Sequence, residues 1–156
     1  MSSFSWEPFG AARSSDPPAE PVALPEAPAP APSAFRQLPR EPSRKLVVIT
    51  CMDARVDPLG ALGLSLGEAH VIRNAGATIS DDVLRSLNVS ESMLGTRRAV
   101  LMGHTDCAGH ETDAAMEAAL ADGLRRIRGS GLVPDSFGLE ALVYDVRTGQ
   151  VRPPGG

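Results

Sequence analysis

Residues 46–50, Leu-Val-Val-Ile-Thr, are apolar or β-branched at every position, where a strand with one face in water would alternate. An unbroken run of this kind suits a strand covered on both faces, as in a parallel sheet packed between layers. Residues 98–103, Arg-Ala-Val-Leu-Met-Gly, form a second such run, and 67–76 a briefer strand emptying into a glycine-containing loop. A fourth strand is predicted over 139–146, with Thr148-Gly149 placed to turn the chain back as a hairpin. Helix signals fall between the strands. Asp57-Pro58 reads as an N-cap with proline at the first helical position, although Gly60 and Gly63 keep that helix short. Ser80-Asp81-Asp82 opens a second helix with Val83, Leu84, Leu87 and Leu94 as its apolar stripe. Residues 112–128 form a third, alanine-rich helix with Arg125, Arg126 and Arg128 at its C-terminal end and Gly129 as its stop. This order predicts an α/β fold: a mainly parallel central sheet of about four strands flanked by helices.

Nine of the fourteen prolines precede Arg40, mixed with alanine and scattered charge. Proline removes a backbone donor and breaks helix interiors and sheet ladders, so residues 1–43 are expected to be a Pro/Ala-rich disordered tail. Phe4, Trp6 and Phe9 cluster at its start, either incidentally or as a short docking segment. The remaining 44–156 is expected to fold as a single domain. The net charge is −4 and the fifteen Lys and Arg form no dense run, which argues against nucleic-acid or anionic-membrane binding. No apolar run approaches the ~20 residues needed to cross a bilayer. Two cysteines without a secretory signal point to metal-binding or catalytic thiols and to a cytoplasmic protein.

The chemistry gathers at two strand ends. The first strand runs into Cys51-Met-Asp53-Ala-Arg55, and the other long run ends in His104-Thr-Asp-Cys107. Ligands of open parallel sheets bind at the carboxyl ends of strands. Cys51, His104 and Cys107 offer two thiolates and an imidazole, which suits zinc, and three protein ligands leave the fourth position open in the manner of a catalytic site. Asp53 is close enough in sequence either to be the fourth ligand or to accept a hydrogen bond from a zinc-bound hydroxide, and Arg55 can hold that carboxylate through a bidentate pair. Competing readings are two buried thiols, a disulfide, a phosphatase-like nucleophile at Cys51 for which Arg55 comes too soon, and a merely structural Asp53–Arg55 pair. His70 reads as a structural histidine, His110 as a loop histidine, Asn74 and Gly76 as loop-shaping residues, and Asp106 as a neighbour of the ligands.

Taken in order, Cys51-Met-Asp-Ala-Arg55, Arg73-Asn-Ala-Gly76 and His104-Thr-Asp-Cys107 resemble the β-class carbonic anhydrases from about residue 45 through 107, with a weaker echo over 142–149. The resemblance implies zinc-dependent reversible hydration of carbon dioxide to bicarbonate and a proton through zinc-bound hydroxide, in a homodimer or a multiple of dimers. It also implies zinc on Cys51, His104 and Cys107, with Asp53 and Arg55 as a catalytic dyad and Asp53 the fourth zinc ligand in some family members. An alternative is a catalytically weak or inactive zinc-stabilised binding or regulatory protein on the same scaffold; a third is a hydrolase acting on another small electrophile such as carbon disulfide. The chain departs from the family in having Ala108 where glycine usually follows the last cysteine, a costly substitution if that position needs positive φ. Its segment after Cys107 is also shorter.

Overall fold

The computed structural model of the chain describes residues 37–156. β1 (Leu46–Cys51) is buried at all six positions and β3 (Arg98–His104) at all but the first. Strands so poor in polar side chains must be covered on both faces. β1 therefore lies inside the sheet, parallel to β2 (Ala69–Asn74) on one side and to β3 on the other. β4 (Gly138–Tyr144) adds a parallel strand beyond β3, and the two-residue β5 (Val151–Arg152) returns antiparallel, giving the order β2-β1-β3-β4-β5. The fifth strand is the hairpin partner that Thr148-Gly149 suggested. β4 stops two residues short of the predicted end because the Asp145 carboxylate accepts the N–H groups of Arg147 and Thr148, and Gly149 takes φ 73°.

Side chains alternate along the strands, so Val47, Ile49, Ala99 and Leu101 share one face while Leu46, Val48, Val100 and Met102 share the other. α1 (Pro58–Ala61) and Val56 help to cover the second face. The first face carries the larger core, under Val83, Leu84 and Leu87 of α2 (Asp81–Ser92) and Met116, Leu120 and Ile127 of α3 (Asp113–Gly129). Gly123 lets α3 sit close: a methyl group there would meet Leu101 Cδ2 at 2.7 Å and Ile79 Cγ1 at 3.0 Å.

The helix starts are those marked in the sequence. The Ser80 side chain accepts the Val83 N–H, and the Thr112 side chain accepts the Ala115 N–H. Leu94 is a correction: α2 ends at Ser92, and Gly95 at φ 70° turns the chain while its N–H donates to Glu91 O, so Leu94 lies past the helix.

Of the predicted tail, residues 1–36 with Phe4, Trp6 and Phe9 lie outside the described residues. Its last residue is bonded to the sheet region, the Ser43 N–H donating to the Gly67 carbonyl just before the Arg44 N–H donates to the Glu68 carbonyl. His70 Nε2–H donates to Arg40 O at 2.8 Å, which leaves Nδ1 to accept from Ser90 Oγ at 2.8 Å, so both ring nitrogens are satisfied. Among the described residues, no helix is long and apolar enough to cross a membrane.

Candidate metal centre

Cys51 is the last residue of β1 and His104 the last of β3, so the parallel sheet delivers both to the same end. Cys107 follows three residues later, beyond a tight turn in which Asp106 adopts φ 53°. Aspartate tolerates this left-handed conformation better than most residues. All three side chains are buried, and their donor atoms lie within 4.8 Å of one another. The two sulfurs are 3.9 Å apart. A tetrahedral zinc with its usual bonds to sulfur would hold them at ~3.8 Å.

His104 supplies the strongest sign of a cation. Its Nδ1 lies 2.9 Å from Thr105 O, and because a carbonyl can only accept, Nδ1 carries the proton. Nε2 then presents a lone pair, yet this atom is fully buried and has no hydrogen-bond partner. Burial pushes the Cys107 thiol up to about 11 despite the Gly109 N–H that bonds it. The donor set therefore fits a divalent cation such as zinc, which satisfies the orphaned nitrogen and stabilises both thiolates at neutral pH.

Three loops frame the site. The Gly76 N–H donates to Cys51 Sγ at 3.4 Å, and Gly76 itself has φ 72°. Asn74 fixes that loop by exchanging side-chain bonds with the backbone of Thr78, at 2.6 and 2.8 Å. His110 Nε2 donates to Gly76 O at 3.0 Å and so joins the loop to the one carrying Cys107. The condition under which Ala108 would be costly is not met: the left-handed residue of the Cys107 loop is Asp106, and Ala108 has no positive φ. Gly109 is needed for a different reason, since a methyl group there would lie 2.9 Å from Gly76 Cα.

Asp53 and Arg55 lie beside the ligands. Arg55 grips the carboxylate through Nε to Oδ1 at 3.0 Å and Nη2 to Oδ2 at 2.8 Å, with its own backbone N–H on Oδ1 at 2.9 Å. These bonds hold Asp53 well below the usual carboxylate range. Oδ2 is 3.9 Å from His104 Nε2, which places a fixed anion at the edge of the ligand cluster. Two contacts had no sequence signal of their own. Arg73 donates from Nε to Cys51 O at 2.9 Å and from Nη2 to Asp53 O at 2.8 Å, clamping the turn that bears both residues. Arg55 also reaches Asp106, from Nη1 to Oδ2 at 2.8 Å and from Nη2 to the backbone O at 2.9 Å.

A mainly parallel sheet with a buried Cys-His-Cys set at its carboxyl end defines an α/β protein with three side chains positioned to bind a metal. The family model described as Carbonic anhydrase matches residues 46–130. Among curated proteins, Beta-carbonic anhydrase 1 of Mycobacterium tuberculosis (strain ATCC 25618 / H37Rv) is 39% identical over 138 residues, covering 74% of this chain and 85% of that one. A carbon disulfide hydrolase of Acidithiobacillus thiooxidans is 27% identical over 162 residues, covering 76% and 81%. The crystal structure of carbonic anhydrase from Streptococcus mutans superimposes with a TM-score of 0.68 at 35% identity, over 74% of this chain and 84% of that one. The chain belongs to the β-carbonic anhydrase family.

Proposed function

We propose that Cys51, His104 and Cys107 hold the zinc of a carbonic anhydrase that interconverts carbon dioxide and water with bicarbonate and a proton. The observation that supports the ligand assignment most is the buried, unpartnered Nε2 of His104 facing two thiols. When bound, zinc makes water a nucleophile near neutral pH by lowering its pKa to about 7, a value established in carbonic anhydrase itself.

The chain's own residues orient that chemistry. Asp53, kept ionised by Arg55, has oxygens that can only accept. A water hydrogen-bonded to Oδ2 must direct an O–H at the carboxylate, which leaves an oxygen lone pair free to attack carbon dioxide. The product bicarbonate can present its hydroxyl to the same oxygen. A carboxylate of such low basicity orients the nucleophile without keeping a proton, so the proton passes on to buffer. We assign Asp53 this acceptor role; in the fourth-ligand role, the other possibility, Oδ2 would have to share the lone pairs that now accept Arg55 Nη2–H at 2.8 Å. Arg73 holds the turn by its carbonyls, and the Gly76 N–H holds Cys51 Sγ in place.

In this reading the enzyme is a homodimer in the cytoplasm, working without nucleic-acid or membrane partners. A groove of about 460 Å³ runs along edge strand β2, lined by apolar residues including Leu66, Val71, Ile72, Val89 and Leu94, and supports self-association. Two buried thiols that act as metal ligands suit a reducing compartment. The family match favours the enzyme over a zinc-stabilised binding protein. Stopped-flow assays from about pH 6 to about pH 9, with carbon dioxide and separately with carbon disulfide, test the reading. Hydration of carbon dioxide in excess of any carbon disulfide turnover is expected. Turnover of carbon disulfide alone would move the substrate assignment to the other relative's chemistry.

A further inference from the structure

Arg55 makes more bonds than its pair with Asp53 needs. Besides gripping Asp53, it donates from Nη1 to Asp106 Oδ2 at 2.8 Å and from Nη2 to Asp106 O at 2.9 Å. Asp53 and Arg55 are two residues apart on one loop, and alone they could move together as a unit. Asp106 belongs to the other loop, which leads from His104 at the end of β3 to Cys107, so its bonds tie the pair to the segment that joins two of the three candidate ligands. Asp106 is anchored in turn: its N–H donates to Asp113 Oδ1 at 2.9 Å, from the first turn of α3. A continuous series of bonds thus runs from the start of α3 through Asp106 and Arg55 to the Asp53 carboxylate.

We propose that Asp106 is a positioning residue for carbon dioxide hydration, docking Arg55 onto the ligand loop so that the Asp53 carboxylate stays beside the fourth metal position as an acceptor and does not become a ligand. The proposal rests on the acceptor reading of Asp53. Reactions of this kind are sensitive to small displacements of an orienting group. The Asp106 side chain is 81% exposed, so its ion pair is screened and its loss has a moderate effect. The backbone carbonyl of Asp106 would keep part of the docking in any variant.

The test uses the full chain in zinc and cobalt(II) forms. Glycine and asparagine both tolerate φ 53°, so Asp106→Gly removes the carboxylate and Asp106→Asn retains an acceptor, neither with added backbone strain. Asp106→Gly is expected to lower kcat about threefold to tenfold with KM changed less than about twofold and zinc content unchanged. It is also expected to alter the intensity of the visible cobalt bands, which report the fourth ligand. Asp106→Asn should restore kcat and the bands nearly to wild type, and adding Asp53→Asn to Asp106→Gly should cancel the spectral change. Equal behaviour of the glycine and asparagine variants would overturn the proposal and leave Asp106 as a turn residue only. If Asp53→Asn by itself reshapes the cobalt bands of the otherwise wild-type chain, Asp53 is a ligand, and the acceptor reading falls together with this proposal.

Discussion

At the scale of single residues, a buried imidazole nitrogen with nothing to bond costs on the order of 1–3 kcal/mol, and at His104 that cost sits where two thiols converge. Metal binding offsets it, so removing a ligand should be felt first in metal content. Cys107→Ala is expected to emerge from dialysis with well under one equivalent of zinc by elemental analysis. Asp53→Asn should keep its zinc and lose roughly tenfold to a hundredfold in carbon dioxide hydration; zinc loss in that variant would mark Asp53 as a ligand. Cys51, Asp53, Arg55, His104 and Cys107 stand out in the sequence as metal-capable or paired charged side chains following two apolar runs, and the structure brings them together. The bond from Arg55 to Asp106 could not, because it joins loops whose meeting depends on the sheet. Arg73 reaches Cys51 O only because β2 pairs in the register that sets Arg73 opposite Thr50.

At the scale of elements, the unbroken apolar runs marked β1 and β3, the Ser80-Asp81-Asp82 start marked α2, and the alanine-rich run closed by arginines and Gly129 marked α3, because these signals are local. Leu94 was misplaced since hydrophobic spacing continues through the turn that Gly95 makes. Two close approaches that matter to the core and the site were equally invisible, as a glycine does not announce its neighbour. Gly123 seats α3 on Leu101, and Gly123→Ala should destabilise the chain by about 1–3 kcal/mol in urea titrations, despite alanine's better helix propensity. A methyl group at Gly109 would press on the Gly76 loop, whose N–H bonds Cys51 Sγ. Gly109→Ala is expected to release zinc to a chelator several-fold faster than wild type, about the effect of losing a bond beside a ligand. An unchanged release rate would show that the loops part without disturbing Cys51.

For the whole molecule, metal and protons both couple to folding. Zinc bound by the folded chain raises the melting temperature, and a chelator should lower it, by an amount that grows with free zinc. Among the described residues, four carboxylates have lowered pKa values: Asp53 through Arg55, Glu68 through the Ser65 N–H and Arg44, Glu117 through Arg152 and the Gly155 N–H, and Asp145 through the Arg147 N–H. Each folded pKa lies below its unfolded value, so the stability these groups supply is complete above the unfolded carboxylate range. It is lost as pH falls through about 4.5 toward the folded values. Unfolding of the chelator-treated chain should therefore be insensitive to these groups from about pH 5 to 7 and grow easier below, with a shallower acid slope in Glu117→Gln. The most direct single measurement is the stopped-flow rate of carbon dioxide hydration per mole of bound zinc, wild type beside His104→Ala supplied with the same zinc. A rate that tracks bound zinc in the wild type and nearly vanishes in His104→Ala is the expected result. A wild-type chain fully loaded with zinc yet inert toward carbon dioxide at every pH would contradict it.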